Sequence, residues 1–174
     1  MDDISLYLVF CSQKVIPKVI HHLTGDSTTP SHKLFWLGGR NNVRGFPEEG
    51  LIPVDQRNPQ DPSSPCVPKK VGEGEQAKEV CISLGGNAFL LLKGELRFPL
   101  IPETLEGAFF VDLGNLWADP ANFIDQFYLR PSAGFGMRFV TPIGLVAFDF
   151  GFNLDPDEDR REEIWNLHFN IGVF

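Results

Sequence analysis

The chain has 174 residues, enough for one domain with a sizeable core, and carries a formal net charge of -8. The acidic balance argues against nucleic-acid binding, which needs a basic face. Phe occurs 16 times, Gly 17 times and Pro 14 times, a composition that favours many short strands and turns over helices. The sequence holds no run of 18 apolar residues, so it predicts no transmembrane helix.

The first part of the chain, residues 1–31, is predicted to be a lead-in to the main domain. Met1–Phe10 carries acidic residues and no basic region, so it is not a convincing signal peptide, and we expect residues upstream to be missing. A weak alternation of apolar and polar residues over Ile4–Lys14 predicts one partial strand.

A long polar loop is predicted over residues 38–84. Cys66 and Cys81 flank a polar, Pro-rich stretch of this loop, and Cys11 lies far away in the sequence. A disulfide between Cys66 and Cys81 would form in an oxidising compartment, and two unpaired thiols are the equal alternative. Because no CxxC pair occurs, a zinc site is not expected.

A period of two, with apolar side chains at alternate positions, is the dominant pattern of the chain after Gly85. In Asn87–Phe98 the even positions are wholly apolar, whereas the odd positions include Lys93, Glu95 and Arg97. Four more segments repeat the pattern: Glu106–Trp117, Arg130–Thr141, Leu145–Leu154 and Glu163–Phe174. Each is about ten to twelve residues long, which is the length that a tilted strand needs to cross a bilayer.

The connections between these segments also alternate in length. Pro99–Glu106 and Thr141–Gly144 are short turns, whereas residues 40–84, 118–129 and 155–162 form longer polar loops. Short turns on one side and long loops on the other are typical of bacterial outer-membrane barrels. Three aromatic residues fall near loop ends, where an interfacial aromatic girdle would lie: Trp117, Tyr128 and Trp165.

A soluble β-sandwich or lipocalin-like barrel that binds a ligand is the alternative, and its core would be formed by the apolar faces. The polar faces argue against it, because their small residues and charges of both signs suit a water-filled lumen. The apolar faces are also rich in Phe and Leu over the full membrane length. The alternation alone therefore favours a transmembrane barrel and leaves the sandwich open.

Five segments occur in an order and spacing that resemble a known family. Residues 37–46 read LGGRNNVRGF, and the later segments are residues 85–88 leading to Glu95, Phe109–Gly114, residues 130–144 and Phe169–Gly172. They resemble the motifs of the BamA/TamA-type outer-membrane assembly factors, a superfamily of bacterial surface antigens. The resemblance covers about residues 32–174.

The resemblance implies an all-β fold, an antiparallel meander that forms the last five or six strands of a sixteen-stranded transmembrane β-barrel. Residues 32–174 would be the carboxy-terminal part of that barrel, and residues 1–31 a partial strand with a periplasmic or loop lead-in. Six strands cannot close a membrane barrel, and open edges are not tolerated in lipid. The chain is therefore expected to work only as part of a longer protein, in a bacterial or organellar outer membrane.

The function that the resemblance implies is insertion and assembly of outer-membrane proteins, without a cofactor. The implied partners are outer-membrane lipids, nascent outer-membrane or secreted proteins and accessory assembly lipoproteins, with no nucleic acid. A polypeptide secretion pore of the same superfamily and a non-functional truncated barrel fragment remain the alternatives.

The candidate site is the loop motif Val43, Arg44, Gly45 and Phe46. In the family this loop folds back into the lumen and its Arg meets acidic side chains of the barrel wall, which implies Glu95 and Asp112 as partners. Their parity supports this independently, because both lie on the polar faces of adjacent predicted strands. Gly45 would let the backbone reverse, and Phe46 would pack on the lumen wall.

The end of the chain carries two further candidates, Gly172 and Phe174. In the family the first and last strands meet in a weak seam, and a glycine such as Gly172 lowers strand stability. A terminal aromatic residue such as Phe174 is the usual end of an outer-membrane β-signal.

Other kinds of site are not supported by the sequence. Asp155, Asp157 and Asp159 have EF-hand-like spacing, but Arg160 stands where a Gly is needed. No pair of histidines has metal-ligand spacing, and GxSxG and Walker motifs do not occur. We therefore expect neither an enzyme nor a metal site.

Overall fold

The computed structural model describes residues 9–20, 29–72, 78–141 and 144–172, whose regular secondary structure is almost entirely β. Helical geometry in these residues is limited to a 3₁₀ turn at Ser31–Lys33 and one α-helical turn, α1, at Asn122–Asp125. None of the helices in the described residues is long and apolar enough to cross a membrane. The strands are β1 Val9–Val19, β2 Pro68–Val71, β3 Lys78–Cys81, β4 Ala88–Ile101, β5 Leu105–Trp117, β6 Arg130–Thr141, β7 Gly144–Asn153 and β8 Trp165–Gly172.

Six of the strands form one antiparallel sheet in the order β1-β4-β5-β6-β7-β8. From β4 to β8 every strand pairs with its successor in the chain, as a meander requires. In the described part of the chain, β1 and β8 lie at the two edges of this sheet. The predicted fold class, an antiparallel meander of five or six long strands, is therefore confirmed.

The strand boundaries differ most from the prediction in two places. The first strand continues to Val19, beyond the predicted end at Lys14, and its register with β4 shifts between Cys11 and Lys14. Residues 4–8 of the predicted strand Ile4–Lys14 lie outside the described residues. The turn between β4 and β5 is also tighter than the predicted Pro99–Glu106, because strand pairing continues to Ile101 and resumes at Leu105. Hydrogen-bonded pairing with the neighbouring strand sets both boundaries, and the periodicity of a single strand does not show where that pairing ends.

One face of the sheet is apolar and exposed along its length. The alternate residues of β5 to β8 on this face keep large exposed fractions, 56% for Phe109 and 50% for Phe169. No second sheet covers it in the described residues, since β2 and β3 form a separate hairpin. A β-sandwich would bury this face, so the sandwich alternative is wrong. Exposure of so large an apolar surface favours contact with lipid.

The opposite, inner face is covered by the chain between β1 and β4. A core cluster joins side chains of this segment to side chains of the strands: Leu37, Val43, Phe46, Leu51, Phe89, Leu91 and Leu116. Phe35 adds a short antiparallel bridge to Gly86, which fixes the segment beside the start of β4. The long loop is thus folded onto the inner face of the sheet.

The three aromatic residues predicted for an interfacial girdle separate into two groups. Trp165 and Tyr128 are exposed at the loop end of the sheet. Trp117 differs, because Phe123 and Phe127 pack on its ring at centroid distances of 4.6 and 6.2 Å and leave it fully buried. Trp117 therefore anchors the loop after β5 and does not face lipid.

The hairpin β2–β3 is closed by a disulfide between Cys66 and Cys81, whose Cα atoms lie 5.2 Å apart. Of the two alternatives left open by the sequence, the structure contains the bridged form. At its outer edge, Arg161 of the loop after β7 donates a 2.8 Å hydrogen bond to the carboxylate of Glu79. The guanidinium of Arg161 holds the pKa of the exposed Glu79 below its usual value.

Candidate functional site

The segment between β1 and β4 that covers the inner face of the sheet is here named the inner loop. It makes a tight turn at Val43–Phe46, here named the arginine turn. The turn is closed by a hydrogen bond from the N–H of Phe46 to the carbonyl of Val43, 3.2 Å long. Gly38 and Gly39 precede it with φ values of 106° and 92°, a left-handed conformation that glycine adopts without a steric penalty. The N–H of Gly39 then bonds the carbonyl of Phe46 at 3.0 Å, so the loop folds back on itself.

Arg44 is the centre of the turn and meets the two carboxylates that the family resemblance implies as its partners. Its Nε and Nη2 donate to Asp112 at 2.7 and 2.8 Å, and its Nη1 donates to Glu95 at 2.5 Å. The backbone N–H of Arg44 adds a 3.2 Å bond to Asp112. Arg44 is 3% exposed and Asp112 is 0% exposed, so these charge-assisted bonds are protected from water.

The positions of the two carboxylates follow from the strand register. Asp112 on β5 pairs with Lys93 on β4, and Glu95 lies two residues further along β4, on the same face. The guanidinium of Arg44 also lies 3.5 Å from the centre of the Phe110 ring, which favours a cation on its face. The guanidinium of Arg44 is therefore held at its edge by the two carboxylates and at its face by the ring of Phe110.

Two further residues, Asp149 and Arg138, extend this pair into a network that the sequence analysis did not identify. Arg138 donates to Asp149 at 2.6 Å and approaches Glu95 at 3.4 Å. Arg97 donates to the other oxygen of Glu95 at 2.7 Å. Three guanidinium groups thus surround three carboxylates, and the balance of charge offsets much of the cost of burying them. Alternation along each strand places Asp149 and Arg138 on the polar face. Their contact follows only when the register between β6 and β7 is known.

Glycines allow the arginine turn to lie directly on the strands. A Cβ added to Gly45 would lie 2.6 Å from the Cβ of Ser132, and one added to Gly151 would lie 1.9 Å from the carbonyl oxygen of Arg44. Gly45 does not have a positive φ in this turn. The chain does turn at Gly45, as expected, but the turn needs no left-handed conformation there; the close approach of two backbones is what requires a glycine at this position.

The last strand, β8, contributes hydrogen bonds to the backbone of the turn. Asn166 donates from Nδ2 to the carbonyl of Gly45 at 2.9 Å, and Nε2 of His168 lies 2.9 Å from the carbonyl oxygen of Arg44. A carbonyl oxygen only accepts, so this contact requires the hydrogen on Nε2 of His168. The spacing of the histidines does not predict this role, whereas alternation in β8 places His168 on the polar, inner face.

Two arginines hold the part of the loop that follows the turn. Phe46 is buried beside the guanidinium of Arg130, which lies 5.2 Å from its ring centre and pairs with Glu162 at 2.5 Å. Arg160 donates to the carbonyls of Ile52 and Val54, both at 3.1 Å. Burial lowers the pKa of Arg160 below its usual value. Phe46 therefore packs among polar groups at the loop end, as well as in the core cluster.

The remaining predicted residues have simpler surroundings. Gly172 pairs with Leu145, and a Cβ added there would meet the Leu145 carbonyl at 3.8 Å, an ordinary contact. Phe174 lies outside the described residues. Asp157 accepts hydrogen bonds from the N–H groups of Asp159 and Arg160, as in a loop turn. The described ranges contain no cluster of His, Cys, Asp and Glu suited to a metal ion.

Comparisons with known proteins agree on one family. The profile described as the Omp85 superfamily domain matches residues 4–174. The outer membrane protein assembly factor BamA of Nitratidesulfovibrio vulgaris is 26% identical over 150 residues, covering 86% of this chain and 16% of that protein. Outer envelope protein 80, chloroplastic, of Arabidopsis thaliana is 24% identical over 153 residues, covering 82% of this chain and 15% of that protein.

A solved structure shares the fold. The crystal structure of BamA from Haemophilus ducreyi lacking POTRA domains 1–3 superposes with a TM-score of 0.56 at 19% identity, covering 83% of this chain and 28% of that one. Both curated relatives are by name proteins of an outer membrane or outer envelope, which places this chain in such a membrane. The chain spans less than a fifth of the length of either relative.

Proposed function

Because the chain belongs to the Omp85 superfamily, we propose that it supplies barrel wall and inner loop to an insertase that assembles proteins in an outer membrane. One matched relative is named as an assembly factor for outer-membrane proteins. The chain corresponds to a small share of that relative, so the proposed activity belongs to a longer protein that contains this sheet. Two open sheet edges agree with this, since unpaired strand edges are costly in lipid.

The outer face of the sheet supports contact with lipid as the first partner. Its exposed residues are apolar and alternate with buried polar residues along β5 to β8. In water such a surface would promote aggregation, whereas in a bilayer it removes the need for a second layer. Nascent outer-membrane proteins are the proposed substrates and accessory lipoproteins are further proposed partners.

The observation that carries the proposal is the clamp of Arg44 on Glu95 and Asp112. It joins the inner loop to two adjacent strands through four hydrogen bonds, three of them to one fully buried carboxylate. We infer that the clamp keeps the loop on the wall while strands of a substrate pair at a sheet edge. Such work requires neither a covalent step nor a cofactor.

A secretion pore of the same superfamily is the alternative, and the position of the loop argues against it. The loop residues Leu37, Val43 and Phe46 pack directly on the inner face, with exposed fractions of 1% or less. A polypeptide that crossed this part of the lumen would have to displace them. Insertion at a sheet edge does not require these loop residues to move.

The test is insertion of an unfolded outer-membrane protein into lipid vesicles that contain the full-length protein. We expect acceleration by the unaltered protein and a loss of at least about tenfold with Arg44→Glu, since reversal of a buried charge costs several kcal/mol. Arg161→Gln is the matched control, because this arginine pairs at the surface. Passage of polypeptide into the vesicle lumen would favour the pore, and the absence of both accelerated insertion and passage would refute both functions.

A further inference from the structure

The inward side chains of β8 form a continuous set of contacts with the inner loop. The residues Asn166, His168 and Asn170 point to the same face, because side chains alternate along a strand. Asn166 bonds the carbonyl of Gly45 and His168 bonds the carbonyl of Arg44. Asn170 accepts a 3.0 Å hydrogen bond from Nη1 of Arg40.

The same guanidinium group also reaches the backbone of β8. Nη1 of Arg40 donates to the carbonyl of Phe169 at 3.3 Å. Loop residues 40–45 thus run beside β8 in the opposite direction to the strand, with one side-chain contact for each of Asn166, His168 and Asn170. Two of the contacts are buried and the third, at Arg40, is exposed.

Among the described residues, the outward side chains of β8 make no comparable contacts with the loop. Leu167, Phe169 and Ile171 are exposed on the apolar face, and the backbone of β8 pairs with β7 along one side. In the described sheet its other side is an edge. An edge strand that is paired on one side depends on its side chains for additional support, and here the loop provides it.

We propose that Asn166, His168 and Asn170 are positioning residues that tether the edge strand β8 to the loop at residues 40–45. The tether fixes the inner face of β8 at the arginine turn, so the state of the loop determines how freely the edge accepts a new strand. The second half of this inference rests on the proposed insertase function. The tether itself does not, because it follows from the hydrogen bonds.

The buried carbonyls of Arg44 and Gly45 give the tether its specificity. Each accepts one side-chain hydrogen bond from β8, and a buried carbonyl that loses its donor is disfavoured. His168→Leu removes one donor. Asn166→Asp places a carboxylate oxygen against the carbonyl of Gly45 without a change of size. His168→Gln keeps an N–H donor at a similar reach and is the conservative variant.

Hydrogen exchange of the full-length protein in detergent micelles tests the tether directly. We expect the peptide that covers residues 165–172 to exchange about three- to tenfold faster in His168→Leu and in Asn166→Asp, as the loss of one hydrogen bond implies. The peptide that covers residues 105–117 should be unchanged, and His168→Gln should restore protection. Leu167→Val, on the outward face of the same strand, is the control. Wild-type exchange of β8 in both donor variants would overturn the tether.

If either buried variant fails to fold, as judged by heat-modifiable migration on a gel, Arg40→Gln replaces it. This change removes the exposed contact and should accelerate exchange at the end of β8 near Asn170. Unchanged exchange there would overturn the inference as well.

Insertion rates measured on the same proteins separate the two proposals. A change of at least threefold with His168→Leu that His168→Gln reverses supports the coupling of tether and edge. Faster exchange with an unchanged insertion rate would overturn the coupling. An unaltered protein that inserts nothing would refute the insertase function, while the exchange experiment would still decide the tether.

Discussion

Removal of the negative charge at Asp112 should destabilise the protein more than any other single change at an acidic residue of the sheet. Asp112 accepts three hydrogen bonds from Arg44 and is fully buried. Asp112→Asn leaves one acceptor oxygen and turns an amide group toward a guanidinium that cannot lose its proton. Loss of one partner of a buried pair typically costs about 3–5 kcal/mol. Glu95 and Asp149 remain within 2.5 and 3.9 Å of Arg44, so we expect the lower end, about 3 kcal/mol.

The strength of the pair itself is measured by a double-mutant cycle with Arg44→Met. The double variant removes both charges, so it should be destabilised by less than the sum of the single variants. We expect a coupling free energy of about 2–3 kcal/mol, the upper part of the range for residues in direct contact. The assay is equilibrium unfolding of the full-length protein in denaturant, followed by tryptophan fluorescence. Additivity within about 0.5 kcal/mol would refute the clamp as a source of stability.

Three other predictions follow from separate features. Gly151→Ala should destabilise the protein by about 3 kcal/mol or more, because the added Cβ would lie 1.9 Å from a backbone carbonyl oxygen of the inner loop. Gly94→Ala is the control and should cost under about 1 kcal/mol, because the nearest atom to its Cβ lies at 3.8 Å. Thermal unfolding compares the two variants. Cys81→Ser should cost the hairpin about 3 kcal/mol through the loss of loop closure, with protease sensitivity as the measurement and an unchanged cleavage rate as the contrary result. The pKa of Glu79 is lowered in the folded protein, so its pair with Arg161 should stabilise the hairpin at a pH above 4.5, the ordinary pKa of a glutamate. This stabilisation should be lost as the pH falls below that value. Hydrogen exchange of the hairpin measures this pH dependence, and Glu79→Gln should remove it.

The sequence was sufficient to predict the faces of the sheet and one long-range contact. Period-two alternation distinguishes inward from outward residues without knowledge of the register, and it placed Glu95 and Asp112 on the inner face. The family motif then supplied the loop arginine that the structure brings against both. The apolar outer face followed from the same alternation, because the Phe and Leu positions repeat in every strand.

The remaining features depend on distances that no periodicity contains. The contact between Arg138 and Asp149 depends on the pairing of β6 with β7, since the two residues stand two positions apart in register. The burial of Trp117 depends on a loop that contains α1, whose fold is set by tertiary packing. The role of Gly45 likewise appears only when the backbone of the turn is placed on the strand that carries Gly151.

The two faces of the sheet differ in the range of side chains that each position tolerates. The outer face needs apolar side chains of suitable length, because transfer into lipid depends on area and has no direction. The inner face needs a guanidinium fork, carboxylates at fixed register positions and glycines where two backbones meet, since charge-assisted hydrogen bonds depend on geometry. Replacement of Phe109 by Leu should therefore be tolerated, whereas replacement of Arg44 by Lys keeps the charge and loses the fork that bridges Glu95 and Asp112. Specificity in this part of the protein is accordingly determined on the inner face, at the arginine turn and the strands that hold it.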